Sequence, residues 1–143
     1  MTKTKVDIYR SREKARLHDE LDREKSVCPF CDLTGRAIDE TPTMVITKNK
    51  VAYDWWDEAE VIEHLMLIPK RHVETTAELN QVEREEYLRL IAEYEKKGYS
   101  FYSRSLENKT RTQPHLHTHL IKTGELEDKF MLIMRNLGIR FVR

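Results

Sequence analysis

Three histidines near the end of the sequence, His115, His117 and His119, alternate with Leu116 and Thr118. Side chains alternate between the two faces of a β-strand, so this spacing predicts three imidazoles on one face of an extended segment. Packing of a core does not require such a row. Three imidazoles can bind a metal ion with an open water position. Alternatively, one neutral imidazole can attack phosphorus while its neighbours hydrogen-bond the phosphate oxygens. The row alone does not decide between them.

The second chemical feature is the pair Cys28 and Cys31, which are the two cysteines of the 143-residue chain. In a reducing compartment, a Cys-x-x-Cys pair is more often a metal site or a redox site than a structural disulfide. The N-terminus is charged and has no apolar segment typical of a signal peptide, and no apolar run approaches the length of a membrane span. We therefore expect a cytoplasmic protein, and the metal and redox interpretations of the pair both stay open.

Together with a third segment, these motifs resemble the histidine-triad (HIT) family. The His-x-His-x-His row is followed by two apolar residues, Leu120 and Ile121. Residues 64–72 end in Pro-Lys-Arg-His and resemble the strand and turn that end in Pro-Lys-x-His in the family. The Cys-x-x-Cys pair resembles the one near the start of zinc-containing members. The motifs cover residues 28–121 in the family's order, and the tail beyond Thr123 lies outside the resemblance.

The resemblance implies a nucleotide hydrolase or nucleotidyl transferase that cleaves at the α-phosphate of nucleoside phosphoramidates or dinucleoside polyphosphates. His117 would be the nucleophile that forms a transient nucleotidyl-histidine, and His119 and His64 would contact the phosphate. Family members commonly form homodimers, which the resemblance also implies. A structural Zn²⁺ would be bound by four residues: Cys28, Cys31, His72 and His115. A closed Cys₂His₂ set leaves no open coordination position, which is typical of structural zinc.

The loop before the triad departs from the family pattern because it contains no glycine. Thr112 can replace the hydroxyl residue usual in the family, and Arg111 stands where glutamine is common. Lys109 and Arg111 are candidates for binding the leaving phosphates, although a solvated charged loop explains them equally well. Asp54 and Asp57 are candidates for binding the ribose hydroxyls. These departures affect the choice of substrate more than the class of reaction.

The periodicity of the sequence predicts the elements that position these residues. Asn80, followed by an acidic residue at the third helical position, is typical of a helix N-cap, and Gly98 ends the helix. Residues 130–134 fit either a helix or a strand. Five strands and one main helix favour an α+β fold with an antiparallel sheet, and short loops favour a meander of hairpins. The predicted strands are residues 43–47, 51–55, 64–68, 99–104 and 116–121, with a hairpin turn at 48–50.

The composition sets limits on partners and domains. The chain has 25 basic and 25 acidic residues and a formal net charge of zero, which argues against binding nucleic acid in bulk. Residues 1–26 are rich in charge with a thin apolar stripe, and we interpret them as a charged helical extension. Residues 27–143 then form the HIT-like domain, a length that supports a sizeable core.

Two other functions compete with nucleotidyl chemistry. The first is a metal-dependent hydrolase that uses His115, His117 and His119 as ligands. The second is a nucleotide-binding or scaffold protein of the same fold with weak activity, in which the charged N-terminal helix recruits a partner. Within the leading hypothesis, a histidine at the third position of the triad favours hydrolysis, because the transferase branch of the family has glutamine there.

Overall fold

The computed structural model describes residues 9–23, 27–57, 59–126, 131–135 and 138–142. It confirms the predicted α+β class, with two α-helices and an antiparallel sheet. The helices are α1 (Arg12–Arg23) and α2 (Gln81–Lys96), and a 3₁₀ turn (Thr76–Glu78) precedes α2. The strands are β1 (Ala37–Glu40), β2 (Met44–Lys48), β3 (Trp55–Trp56), β4 (Ala59–Pro69), β5 (Ser100–Tyr102), β6 (Thr118–Leu126), β7 (Met131–Arg135) and β8 (Gly138–Val142).

The main sheet places β4, which carries His64, beside β6, which carries His119. The predicted strand 116–121 begins only at Thr118, so His115 and His117 precede β6 and the expectation of three histidines on one strand is wrong for these two. The order of the main sheet is β1-β2-β4-β6-β5, with β3 paired to the beginning of β4, and every pairing is antiparallel. In the β4–β6 register, His64 lies opposite Ile121 and Met66 lies opposite His119. Tyr102 of β5 lies opposite His119 on the other side. Directly opposed residues share a face of the sheet, so Met66, His119 and Tyr102 face the same way.

The connection between β4 and β5 differs from the expected meander. Both strands are antiparallel to β6, which lies between them, so they run parallel to each other and α2 connects them. The meander prediction is therefore wrong here. A crossover lets the apolar side of α2 cover the sheet, which a hairpin could not do. The core between α2 and the sheet contains Leu90, Ile91 and Tyr94 packed with Met44, Ile46, Leu65, Leu67 and Leu120.

The predicted hairpin at residues 48–50 is also wrong. Strand β2 pairs with β1 and β4, and of the predicted strand 51–55 only Trp55 is in a strand. Side chains satisfy the backbone here: the Val51 N–H donates to Asn49 Oδ1 (2.9 Å) and the Tyr53 N–H donates to His64 Nδ1 (3.0 Å). Strand β1 was not predicted because it is short and largely exposed.

Helix α2 begins as its sequence predicts. The Asn80 side chain accepts from the Glu83 N–H, and the Glu83 carboxylate accepts from the Asn80 N–H, which forms a capping box. Buried Glu83 also accepts from Arg71 Nε (2.9 Å) and Nη2 (2.7 Å). These bonds tie the start of α2 to the segment that carries His72. Gly98, at φ +88°, follows the end of the helix.

The N-terminal extension contains a helix, as predicted, and it contacts the rest of the chain near the histidines. The Tyr9 carbonyl accepts from the Asp54 N–H (2.7 Å) and the Trp55 N–H (3.2 Å). At the far end of α1, Asp22 Oδ1 accepts from Gln113 Nε2 (3.3 Å). The predicted boundary at residue 26 lies outside the described residues, and the division into extension and domain stays a prediction.

Residues 131–135 form a strand, which decides between the two structures that the sequence allowed for residues 130–134. Strand β7 pairs with β8 in a separate two-stranded antiparallel sheet. Neither helix among the described residues is long and apolar enough to cross a membrane.

Candidate functional site

Four potential metal ligands lie together where the Cys-x-x-Cys turn meets the end of β4 and the start of the triad. Their ligand atoms, one from each of Cys28, Cys31, His72 and His115, lie within 4.8 Å of one another. Cys28 Sγ is 3.4 Å from His115 Nδ1, and Cys31 Sγ is 3.2 Å from His72 Nδ1. These four side chains form the group of described residues that could hold a metal ion.

Three donor–donor distances in the group are close to those around a tetrahedral ion. Donors bound at about 2.0–2.3 Å around a tetrahedral Zn²⁺ lie roughly 3.3–3.8 Å apart. The Cys31 Sγ to His115 Nδ1 distance of 3.7 Å falls in the same range. His115 Nε2 lies 2.9 Å from the Pro69 carbonyl, so Nε2 carries the proton and Nδ1 presents its lone pair to the cysteines. The donor set and the tautomer of His115 therefore suit a metal.

The middle histidine of the triad, His117, has one ring nitrogen hydrogen-bonded to the backbone and the other, Nε2, available. His117 Nδ1 donates to the His115 carbonyl at 2.8 Å, which leaves a lone pair on Nε2. Burial, assisted by the nearby charges of Arg111 and Arg104, lowers the pKa of His117 to about 4 against the effect of this hydrogen bond. The imidazole is therefore neutral near pH 7. The Phe30 ring packs against it with the ring centroids 5.2 Å apart.

His64 and His119 form a hydrogen-bonded pair next to His117. The Tyr53 N–H donates to His64 Nδ1, so the proton of neutral His64 is on Nε2. Nε2 lies 2.8 Å from His119 Nδ1 and 3.2 Å from Asn49 Nδ2, and only His119 can accept its proton. His119 then carries its own proton on Nε2. That atom is buried with no hydrogen-bond partner among the described residues.

The buried His64 predicts a stability that depends on pH. Burial, assisted by the charges of Arg10 and Arg104, lowers the pKa of His64 from 6.5 to about 3. Between these values the unfolded chain binds the additional proton, so the folded state is stabilised above pH 6.5 and loses that stability as the pH falls toward 3. The loss is on the order of a few kcal/mol.

Urea denaturation at pH 7 and pH 4.5 would test this dependence. We expect His64→Gln to lose less stability than the wild type between the two pH values. The metal ligands are the same in both proteins, so the difference between the two losses reports on His64. Equal losses would contradict the assignment.

Aromatic side chains enclose the His64–His119 pair. The Tyr102 ring stacks on His119 (centroids 4.5 Å apart, planes at 10°), and Trp56 stacks on Tyr102 at 4.6 Å. The Tyr53 ring lies 4.5 Å from the His64 ring. Stacking of this kind explains how a cluster of imidazoles can be buried and neutral.

The loop before the triad is held by Arg111. Its Nε donates to the Gln113 carbonyl (2.9 Å) and its Nη1 donates to the Arg104 carbonyl (3.0 Å), while Nη2 donates to the carbonyls of Glu74 and Pro114. Binding of a substrate phosphate by Arg111 would require some of these hydrogen bonds to break. Thr112 and Lys109 are exposed on the same loop.

Arg111→Lys is expected to destabilise the fold by about 1–3 kcal/mol, because a lysine cannot replace the planar set of donors that joins these carbonyls. Thermal unfolding followed by calorimetry would measure the change. Lys109→Met is the control, since the exposed Lys109 forms no ion pair or hydrogen bond with the described residues, and we expect less than about 0.5 kcal/mol from it. Similar effects of the two substitutions would contradict the role of Arg111.

The two aspartates predicted to bind ribose are in different environments. Asp54 Oδ2 accepts from the Ser11 N–H at 2.7 Å, and Oδ1 pairs with Lys14. Burial alone would raise the pKa of Asp54, but the hydrogen bonds from Lys14 and Ser11 outweigh it and lower the pKa. Asp57 is exposed on a turn at φ +52°. The structure thus brings Asp54 to the N-terminal segment.

Several residues of the site carried no signal in the sequence. Arg104 donates from Nη2 to the Tyr53 hydroxyl at 3.0 Å, and its guanidinium lies 5.3 Å from the centre of the Tyr102 ring. Tyr9 stacks on Tyr53 with the ring centroids 4.9 Å apart. A single charged or aromatic residue in a loop has no periodicity, so only the folded chain brings these residues to the histidines.

Known proteins resemble this chain in structure, whereas comparisons of its sequence find no match. No family model and no curated protein matches the chain. A HIT family hydrolase from Legionella pneumophila Philadelphia 1 superposes with a TM-score of 0.51 and 17% identity, over 71% of this chain and 97% of that chain. A HIT family hydrolase from Clostridium thermocellum superposes with a TM-score of 0.52 and 19% identity, over 73% of this chain and 97% of that chain. A histidine triad nucleotide-binding protein from Candida albicans superposes with a TM-score of 0.53 and 17% identity, over 70% of this chain and 78% of that chain.

These similarities confirm the fold that the resemblance implied. They cover most of the chain and nearly all of the two bacterial hydrolases, although fewer than one residue in five is identical. An architecture retained at such low identity is informative about topology and not about substrate. The chain has the fold of the histidine-triad proteins.

Proposed function

We propose that the protein is a HIT-type nucleotide hydrolase or nucleotidyl transferase that works through His117. One observation carries the proposal: the Nδ1 hydrogen bond of His117 to the His115 carbonyl leaves the Nε2 lone pair available, and the neighbouring His119 holds a buried N–H that has no acceptor within the described part of the chain. A nucleophile beside a donor that lacks a partner suits an electrophilic group with anionic oxygens, such as a phosphoryl group.

In the proposed reaction, His117 Nε2 forms a bond to the α-phosphorus. The bond from phosphorus to the leaving group breaks, and its electron pair departs with that group. A polyphosphate leaves as an anion, whereas an amine takes a proton from His119 Nε2. The His115 carbonyl stabilises the nucleotidyl-imidazolium, because it accepts the Nδ1 proton. Water then attacks phosphorus, the N–P bond breaks and the nucleoside monophosphate is released. The proton that the water loses returns to His119 Nε2 when the leaving group was an amine, and passes to solvent when it was a polyphosphate.

The four-residue metal group would hold a structural Zn²⁺. Two thiolates and two imidazoles fill a tetrahedral zinc without an open position, so the ion would supply folding free energy rather than an activated water. His115 would bind the metal with its side chain while its carbonyl orients His117. Thiolate ligands require a reducing environment, which agrees with a cytoplasmic location.

The competing metal-dependent hydrolase is less favoured by the geometry. Among the described residues, the group that could hold a metal includes only His115 of the row. His117 Nδ1 is directed at a carbonyl, and His119 Nδ1 is directed at His64. A common ion for the three histidines would require these hydrogen bonds to be lost.

Substrate contacts and assembly belong to the same proposal. Lys109, Thr112 and Asp57 remain candidates for contacts to the nucleotide, and Arg111 and Asp54 would first have to exchange the partners described above. A homodimer is supported by β5, which forms an edge of the sheet among the described strands and where Phe101 is half-exposed. Pairing of this edge with a second copy would cover the Phe101 side chain.

Trapping of the covalent intermediate tests the reaction. The protein is mixed briefly with an adenosine phosphoramidate, quenched at alkaline pH and analysed by mass spectrometry. We expect an acid-labile adenylyl group on the peptide that contains His117. A mass gain on the peptide containing only His18 would indicate nonspecific labelling. Turnover with no adduct at any time, or an adduct on His64 instead, would contradict the proposal.

A further inference from the structure

We propose that Arg104 binds the anionic leaving group and makes the site selective for phosphoanhydride substrates, such as dinucleoside polyphosphates, over phosphoramidates. This inference rests on the proposed function for the class of reaction and adds the class of leaving group. It follows from where the guanidinium lies, how it is held and which charges surround it.

Arg104 is held next to the buried histidine pair. Its Nη2 donates to the hydroxyl of Tyr53, a residue whose ring contacts the His64 and His119 rings. Its guanidinium also lies against Tyr102, whose ring stacks on His119. The backbone is fixed from the other side, since the Arg104 carbonyl accepts from Arg111. The guanidinium is therefore oriented before any ligand binds, which lowers the entropic cost of binding.

The charge of Arg104 is not neutralised by the described part of the chain. No described carboxylate forms an ion pair with its guanidinium, whereas Arg71 pairs with Glu83 and Lys14 pairs with Asp54. Burial lowers the pKa values of His64 and His119, and the charge of Arg104 lowers both further, so the cation acts on the buried pair. A partly buried cation without a counter-ion, beside neutral imidazoles, suits an anionic ligand.

The leaving group is the part of the substrate where this charge discriminates. The attacked phosphoryl group carries one negative charge in phosphoramidates and phosphoanhydrides alike. A polyphosphate leaving group adds further negative charge, whereas an amine leaving group adds none. In the proposed reaction, the Nε2–H of His119, which has no acceptor among the described residues, serves the attacked group. The planar guanidinium of Arg104 can donate two parallel hydrogen bonds to a second phosphate.

The first test compares kcat/KM of wild type and Arg104→Gln for diadenosine tetraphosphate and for an adenosine phosphoramidate. We expect the variant to lose about 10- to 100-fold on the tetraphosphate and less than about threefold on the phosphoramidate. Arg89→Gln removes the same charge from the exposed surface of α2 and should leave kcat/KM unchanged for both substrates. Equal losses on both substrates, or no loss on either, would overturn the assignment.

The second test is independent of turnover. Isothermal titration calorimetry with inorganic pyrophosphate should show binding to the wild type and to Arg89→Gln, and binding at least tenfold weaker to Arg104→Gln. Should Arg104→Gln not fold, Arg104→Met keeps the aliphatic part of the side chain and replaces it in both tests. Equal pyrophosphate binding by the neutral variant and the wild type would refute the anion site. Absence of an adduct on His117, with pyrophosphate binding still dependent on Arg104, would refute only the proposed reaction.

Discussion

His117→Asn is expected to lower kcat/KM by on the order of 10³-fold or more, because removal of a nucleophile eliminates the covalent route while binding and charge stabilisation remain. Asparagine retains a side-chain N–H that can donate to the His115 carbonyl, so the local backbone need not change. Steady-state kinetics with an adenosine phosphoramidate and with diadenosine tetraphosphate would measure the loss. The melting temperature should stay close to that of the wild type.

His18→Asn is the matched control, because His18 lies on α1 outside the histidine cluster. It should keep wild-type kinetics. Full turnover by His117→Asn would exclude nucleophilic catalysis by this residue. A loss of activity accompanied by a large drop in melting temperature would instead indicate a structural role.

Cys28→Ser is expected to release about one zinc ion per chain and to destabilise the fold by several kcal/mol. Structural zinc contributes directly to the free energy of folding, and a serine hydroxyl is a poor replacement for a thiolate. Elemental analysis by mass spectrometry would give the metal content, and calorimetry would give the melting temperature. We expect the temperature to fall by roughly 10 °C or more for a domain of this size.

Asp32→Asn provides the control for the metal site, since it removes a charge from the residue next to Cys31 without removing a ligand. It should retain the metal. An intact mass two hydrogens lower than calculated, together with no bound metal in the wild type, would show that the cysteines form a disulfide and would exclude the zinc site.

The two predictions are connected through His115. Its side chain faces the cysteines and its carbonyl accepts the Nδ1 proton of His117. Phe30, which lies between the two cysteines in the sequence, packs against the rings of both His115 and His117. Loss of metal should therefore displace the backbone that orients His117. We expect Cys28→Ser to lower activity as well as stability, and added zinc should restore neither.

The amino-acid sequence by itself determined the parts of the site that local spacing encodes. The alternation of the triad predicted a strand that the structure confirms from Thr118 onward, with only His119 of the three histidines inside it. The Asn80 capping box begins α2 where the pattern predicts it. The α+β class followed from the same periodicity. The Cys-x-x-Cys pair indicated a metal or redox site because its two donors are neighbours in the chain. These features depend on residues a few positions apart, so no tertiary information is needed to recognise them.

Only the tertiary structure decided the course of residues 48–55, the crossover through α2 and the position of Arg104 beside the histidines. The backbone of Tyr53 hydrogen-bonds to His64, 11 residues away, instead of to a partner strand. Arg111 stood closest to the triad in the sequence, yet it holds loop carbonyls, while Arg104 contacts Tyr53. Such choices depend on contacts between residues 11 and 51 positions apart, and local propensities cannot encode those contacts.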